Sequence, residues 1–242
     1  MKNHPSMLIV ECRRLVDEIY DIHFEFEETR RDDLIRLGLD ISADVPEYQA
    51  LFSALLPLLT DREHIVNQPE IIDEIENAYQ SAPDDRYILT CYATCLFFTR
   101  HYDRAKELIE KVLALASDFR PALQLQSMIL QKSGRPADAL IYLDRILSFN
   151  ADDFRAMELK SDCLADLGLH QEAIANDEAL FDAGLNYICS RHPALALQKI
   201  TPNMVLPLIY EKIKNISTST PYSDIRVLGS VVTRLLPTRT GI

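Results

Sequence analysis

The sequence predicts an all-α protein made of paired helices, on three observations. The stretches HYDRAKELIEKVL from His101, RPADALIYLDRIL from Arg135 and LHQEAIANDEALF from Leu169 open 34 residues apart each time. In the first of them Ala105, Leu108, Ile109, Val112 and Leu115 recur at spacings of three and four, while Arg104, Lys106, Glu107, Glu110 and Lys111 fill the remaining positions. That pattern belongs to a helix that buries one side. Only 6 glycines stand against many Ala, Leu, Ile, Glu and Asp, and this favours helix because Ala and straight-chain residues lose little freedom there.

Taken in chain order, the first expected element is a long N-terminal helix with Leu8, Cys12, Leu15, Ile19, Ile22 and Phe26 on one side and Glu11, Arg14, Glu18, Asp21 and Glu25 on the other. A hinge near Gly38 to Pro46 then leads into EYQALFSALLPLLT, so residues 1–51 form an N-terminal flank or cap. Residues 52–85 make a degenerate unit, with Leu55 and Leu59 in its first helix, Ile75 and Ala78 in its second and Pro83 at its end. Three clearer units follow over 86–187, as 86–119, 120–153 and 154–187. In these Ala105, Ala139 and Ala173 share a column, as do Leu96, Leu130 and Leu164, and the small residues Ala93, Ser127 and Ser161. Small residues in fixed columns let two helices cross closely. Gly134 and Gly168 align at the turn inside the unit, where the first unit has Arg100. Asp84 and Asp85, Asp118, and Asp152 and Asp153 stand before the successive first helices, placed to accept their orphan N–H groups. Residues 188–242 form a C-terminal helical cap: PNMVLPLIYEKIKN with a boundary near Pro207, a polar STSTPYS linker, and SDIRVLGSVVTRLL with Ser223 as its N-cap.

These columns resemble tetratricopeptide repeats. The marks are the alanine column, the small residue of the first helix, the turn glycine, Tyr102 ahead of Ala105, and Pro83 closing the unit before the first clear repeat. The sequence departs from the family in having no Trp, in carrying Leu59 where the weak unit should have a small residue, and in placing Asp177 in the column of Ile109 and Leu143. The resemblance implies an α-solenoid of tetratricopeptide-type helix pairs with helical N- and C-terminal flanks, whose first helices line a concave groove. It places in that groove Tyr87, Thr90, Thr94, Phe97 and Phe98 from the first clear unit, Gln124, Met128, Gln131 and Lys132 from the second, and Arg155, Glu158, Asp162 and Asp166 from the third. The family's clamp for carboxylate-ended tails is not matched, since Thr90, Thr94, Leu125 and Leu159 occupy its places beside Arg155.

The expected function is therefore a noncatalytic protein-protein interaction module, an adaptor or scaffold that binds a protein or peptide partner. A chaperone for a secreted or hydrophobic client and a regulatory subunit of an enzyme complex are the alternatives. A net charge of −12 and a pI near 4.9 disfavour nucleic acid as a partner. The last 42 residues run the other way, with Lys212, Lys214, Arg226, Arg234 and Arg239 against Glu211 and Asp224. No stretch approaches the ~20 apolar residues of a membrane span. Five scattered cysteines, an odd number in a chain of this size, suit a reducing cytoplasm better than a disulfide framework. The apolar face of the terminal helix serves either to cap the array or to make a partner or homodimer contact.

Chemistry-bearing motifs are sparse. The six histidines stand singly, and Cys91 and Cys95 are one helical turn apart but short of the four ligands of a closed zinc site. They read as small buried apolar residues. Glycines never cluster into a phosphate loop, and there is no G-x-S-x-G elbow. No catalytic residue, no metal and no cofactor is expected.

Overall fold

The computed structural model describes residues 5–22, 28–60 and 68–191, and every regular element among them is a helix. The order is α1 (Pro5–Tyr20), α2 (Glu28–Ile41), a single 3-10 turn (Ser42–Asp44), α3 (Pro46–Thr60), α4 (Pro69–Ser81), α5 (Arg86–Phe98), α6 (Tyr102–Leu115), α7 (Arg120–Lys132), α8 (Pro136–Phe149), α9 (Phe154–Asp166) and α10 (His170–Arg191). The chain divides into two compact units, one ending at Arg135 and the other beginning at Pro136, between the two helices of the second 34-residue repeat.

In the unit ending at Arg135, neighbouring helices pair in chain order from α1 to α7, and α3 and α5 also lie side by side. The core runs along α3, α5 and α7, where Leu51, Phe52, Ile88, Leu89, Cys91, Tyr92 and Ala122 are closed to solvent. α5 is buried on almost every side, which is why RYILTCYATCLFF lacks a polar stripe. Asp85 caps it by accepting from the N–H of Tyr87 at 3.0 Å and of Ile88 at 3.4 Å. α6 shows the stripe foreseen for it, burying Ala105, Leu108, Ile109 and Val112. Arg104 on α6 bonds Glu76 on α4 and holds that carboxyl below the usual range.

The N-terminal flank departs from expectation. α1 stops at Tyr20, so Ile22 lies past its end, and Phe26 lies outside the described residues. Gly38 is not part of a hinge but sits inside α2, where an added Cβ would come 2.4 Å from the Phe52 ring. The glycine lets α2 lie against α3, and the chain reverses in the later part of the expected hinge segment, through the 3-10 turn and Val45.

In the unit beginning at Pro136, α9 packs between α8 and α10. Asp153 caps α9 through the N–H of Ala156 at 2.8 Å. Ala139, Leu143 and Ile146 form the buried stripe of α8. In α10 Asn176 donates 2.7 Å hydrogen bonds to the Met157 carbonyl and to the Ser161 hydroxyl. Beside it Asp177 is buried in the column that elsewhere holds Ile109 and Leu143, so the third pair adds polar ties to the apolar stripe of its predecessors. α10 also runs on to Arg191 instead of stopping where α6 and α8 stop. The remainder of the expected C-terminal cap lies outside the described residues.

Candidate functional site

The phase of the helices is the observation that decides the fold. α5, α7 and α9 begin at 86, 120 and 154 and end at 98, 132 and 166, while α6, α8 and α10 begin at 102, 136 and 170. The turn residues keep the same phase: Arg100, Gly134 and Gly168 all have a positive φ, at 66°, 73° and 76°. In the small-residue column Ala93, Ser127 and Ser161 are all buried, and so are Ala105, Ala139 and Ala173 in the alanine column. The described helices are tetratricopeptide-like.

The positions expected to line a groove fall into two sets, each within its own unit. On α5, Tyr87, Thr90 and Phe97 are buried, at 2%, 1% and 5% exposure. The Tyr87 hydroxyl donates to Asp17 of α1 at 2.9 Å and accepts from Arg86 at 3.0 Å. Burial pushes its phenol up in pKa. Thr90 and Thr94 turn their hydroxyls back onto the carbonyls of Arg86 and Thr90, each at 2.7 Å, so neither offers that group outward. Phe97 stacks edge-on against Phe98 and Tyr102. Thus the chain's own side chains occupy much of the α5 wall. Phe98 and Thr94 keep part of their surface, as do Gln124, Met128 and Gln131 on α7, and Lys132 is exposed.

In the second unit Arg155 bonds Glu158 at 3.0 Å on the same helix, with both partly exposed. Asp162 is partly exposed and Asp166 is exposed. This row of α9 carries three carboxylates to one guanidinium.

Two features that matter were not foreseen. The position before α7 is Phe119, not an acid, so Asp118 does not take the capping position that Asp85 and Asp153 hold. Instead the Phe119 ring meets Tyr87 edge-on at 5.4 Å, and the Arg86 guanidinium lies 4.9 Å from both ring centres. The aromatic at that point of the repeat was the available signal. The second feature is α1 itself, which reaches the first helices of three successive pairs. Arg13 donates to Asp85 at 2.6 Å and to the Tyr48 hydroxyl at 2.8 Å, and that hydroxyl donates to Asp85 at 2.8 Å. Burial pulls the Arg13 guanidinium down, but Asp85 and Tyr48 outweigh it and hold it above its ordinary value. Arg120, opening α7, donates to the Tyr20 carbonyl and, at 3.1 Å, to Asp21.

Cys91 and Cys95 are both closed to solvent, and Cys91 faces the Leu51 carbonyl. The Cys95 contact, then burial, push the Cys91 thiol up. Among the described residues no three His, Cys, Asp or Glu side chains are grouped to hold a metal ion, and no helix is long and apolar enough to cross a membrane.

The sequence matches no protein-family model and no curated protein. Among solved structures it is similar to "MamA MSR-1 C2", at 14% identity and a TM-score of 0.48, over 74% of this chain and 99% of that one. It is also similar to "Crystal structure of YrrB: a TPR protein with an unusual peptide-binding site", at 17% identity and a TM-score of 0.45, over 85% of this chain and 93% of that one. At such values the likeness adds nothing to what the chain's own helix phase establishes.

Proposed function

We propose that this chain is a noncatalytic interaction module, an adaptor that holds a partner polypeptide on the first helices of its pairs. The observation that supports this reading is the outward row of α7. Ala122, Leu123, Leu125, Ile129 and Leu130 supply that helix with a core face, while Gln124, Gln131 and Met128, which packs at the edge of the core, stay half-buried and Lys132 is exposed. One apolar side chain among hydrogen-bonding neighbours suits a peptide with an apolar anchor, worth about 1.5–3 kcal/mol when a large side chain is well buried. On α9 the excess of carboxylates favours a basic segment.

The test is affinity capture from the native cell with the unaltered chain and two surface variants, Gln124→Ala with Met128→Asp, and Asp162→Lys with Asp166→Lys. Circular dichroism checks the helices, and mass spectrometry identifies what is held. A partner retained by the unaltered chain and lost from at least one well-folded variant is the expected result. Identical partners on all three would remove the first helices from recognition. A captured protein that is soluble only on coexpression would make the chain a chaperone instead of an adaptor.

A further inference from the structure

Apart from the rows on α7 and α9, the unit ending at Arg135 holds an open groove of about 440 Å³ where several elements meet. α1 brings Ile9 and Arg13 to it, Val45 and the first turn of α3 bring Glu47 and Tyr48, the turn between α4 and α5 brings residues 82–85, and α5 brings Ile88. Ligand clefts span ~300–1,000 Å³, are lined mainly by apolar groups and carry a few convergent polar ones. Here the apolar lining is Val45 and Ile88, both buried, with Ile9 and Ala82, both half-buried. The polar part is held in place from within. Arg13, Tyr48 and Asp85 bond one another in a closed triangle, and Asp85 is fixed again as the cap of α5. A ligand therefore meets a wall already ordered, which lowers the cost of binding.

The charges along this lining are matched except for one. Asp85 answers Arg13, while Lys111 meets Asp84 at 3.0 Å and the Pro83 carbonyl at 2.6 Å. Glu47 is half-buried and has no hydrogen bond or ion pair among the described residues. One spare carboxylate over an apolar base attracts a cation that stands next to an apolar group and repels an anion. Pro83 and Asp84 are exposed at the edge, and the groove is open instead of enclosed. Such an opening leaves a small molecule half in water, whereas a chain segment can lie across it with one side chain inserted.

We propose that this groove docks a partner's peptide segment in which a large apolar residue adjoins a lysine or arginine. The apolar side chain rests on Ile9, Val45, Ala82 and Ile88, and the cation meets Glu47. This is a second contact surface, separate from the rows of α7 and α9, and neither surface depends on the other.

Amide NMR spectra of the full chain, titrated to millimolar concentration with the acetylated peptide Gly-Ser-Leu-Lys-Ser-Gly, test it. Saturable shifts of the Ile9, Val45 and Ala82 amides are expected. Analogues with serine in place of the leucine, or glutamate in place of the lysine, should bind there about tenfold more weakly. In Glu47→Lys the order of the two charged peptides should reverse, the glutamate analogue now binding the better. No shift at these amides would overturn the proposal, as would analogues that bind like the parent peptide. Should Glu47→Lys fail to fold, the two analogues on the unaltered chain decide the matter alone; should it fold and keep the original order, Glu47 recognises nothing and the proposed site falls.

Discussion

At the scale of single residues, the 34-residue phase puts three different side chains to the same tests. Arg100, Gly134 and Gly168 share a left-handed backbone, which costs a residue with a Cβ about 1 kcal/mol and glycine almost nothing. Around Gly134 an added Cβ would meet nothing within 4 Å, so the penalty there is purely conformational. Arg100→Gly should therefore raise stability by about 0.5–1 kcal/mol in urea unfolding, and Gly134→Ala should lower it by about 1 kcal/mol. Equal effects of the same sign would mean that side-chain contacts, not backbone, govern the turn. The caps differ in another way. Asp153→Ala removes one capping bond and should cost about 1 kcal/mol. Asp85→Ala should cost more, because the same carboxylate also holds Arg13 and Tyr48 and its loss leaves both without that acceptor.

At the scale of elements, what could be read from the sequence was whatever repeats. Helices α5 to α9 were legible because columns such as Ala105, Ala139 and Ala173 keep phase, and a fixed phase reports packing that one amphipathic stripe alone does not. The flank gave no second copy to compare, and there the hinge expected from Gly38 to Pro46 was begun too early, since the helix runs through Gly38 to Ile41 and the turn starts at Ser42. A glycine that ends a helix and one that admits a neighbour look the same in sequence, and only the Phe52 ring beside it tells them apart. Gly38→Ala should thus destabilise the chain by about 1–3 kcal/mol as an overpacked contact, even though alanine is the better helix former. Melting temperatures of this variant and of a Gly38→Ala, Phe52→Leu pair check the cause, since relief by the second change is expected only if the ring is what the methyl meets. The surroundings of the first helices were only partly legible for a similar reason. Family positions marked residues of the first helices, but Tyr87 bonds α1, a helix outside the repeat whose reach to residues 48, 85, 87 and 120 no local spacing encodes.

At the scale of the whole molecule, the polar groups enclosed by these helices give stability a direction with pH. Burial pushes the Cys12 thiol up to about 11 and the Cys163 thiol up to about 12, and Cys91 rises through its Cys95 contact and burial. The phenols of Tyr20, Tyr48, Tyr87 and Tyr92 are raised as well, each mainly by burial. In the unfolded chain the thiols titrate near 9 and the phenols near 10. All these groups therefore keep their protons longer in the folded state than in the unfolded one. Well below pH 9 both states are protonated and the contribution is complete. Above it the unfolded chain sheds protons that the folded chain retains, so stability falls as pH rises. Between pH 9 and 10 each enclosed thiol should remove about 1 kcal/mol, or about 3 kcal/mol for Cys12, Cys91 and Cys163 together, with the phenols steepening the loss beyond. Against a typical total of about 5–15 kcal/mol that is large enough to see. Urea midpoints measured under reducing conditions at pH 7, 9 and 10 should fall a little over the first interval, by about 1 kcal/mol for the three thiols together, and several times as steeply over the second. Replacing Cys12 and Cys163 by Ala should lessen the drop over the second interval by about 2 kcal/mol, with Cys91 and the phenols leaving the rest, even though each change weakens packing at every pH. A midpoint unchanged from pH 9 to 10 would mean that these thiols and phenols reach water in the folded chain, and the helices would not then be closed around them as described.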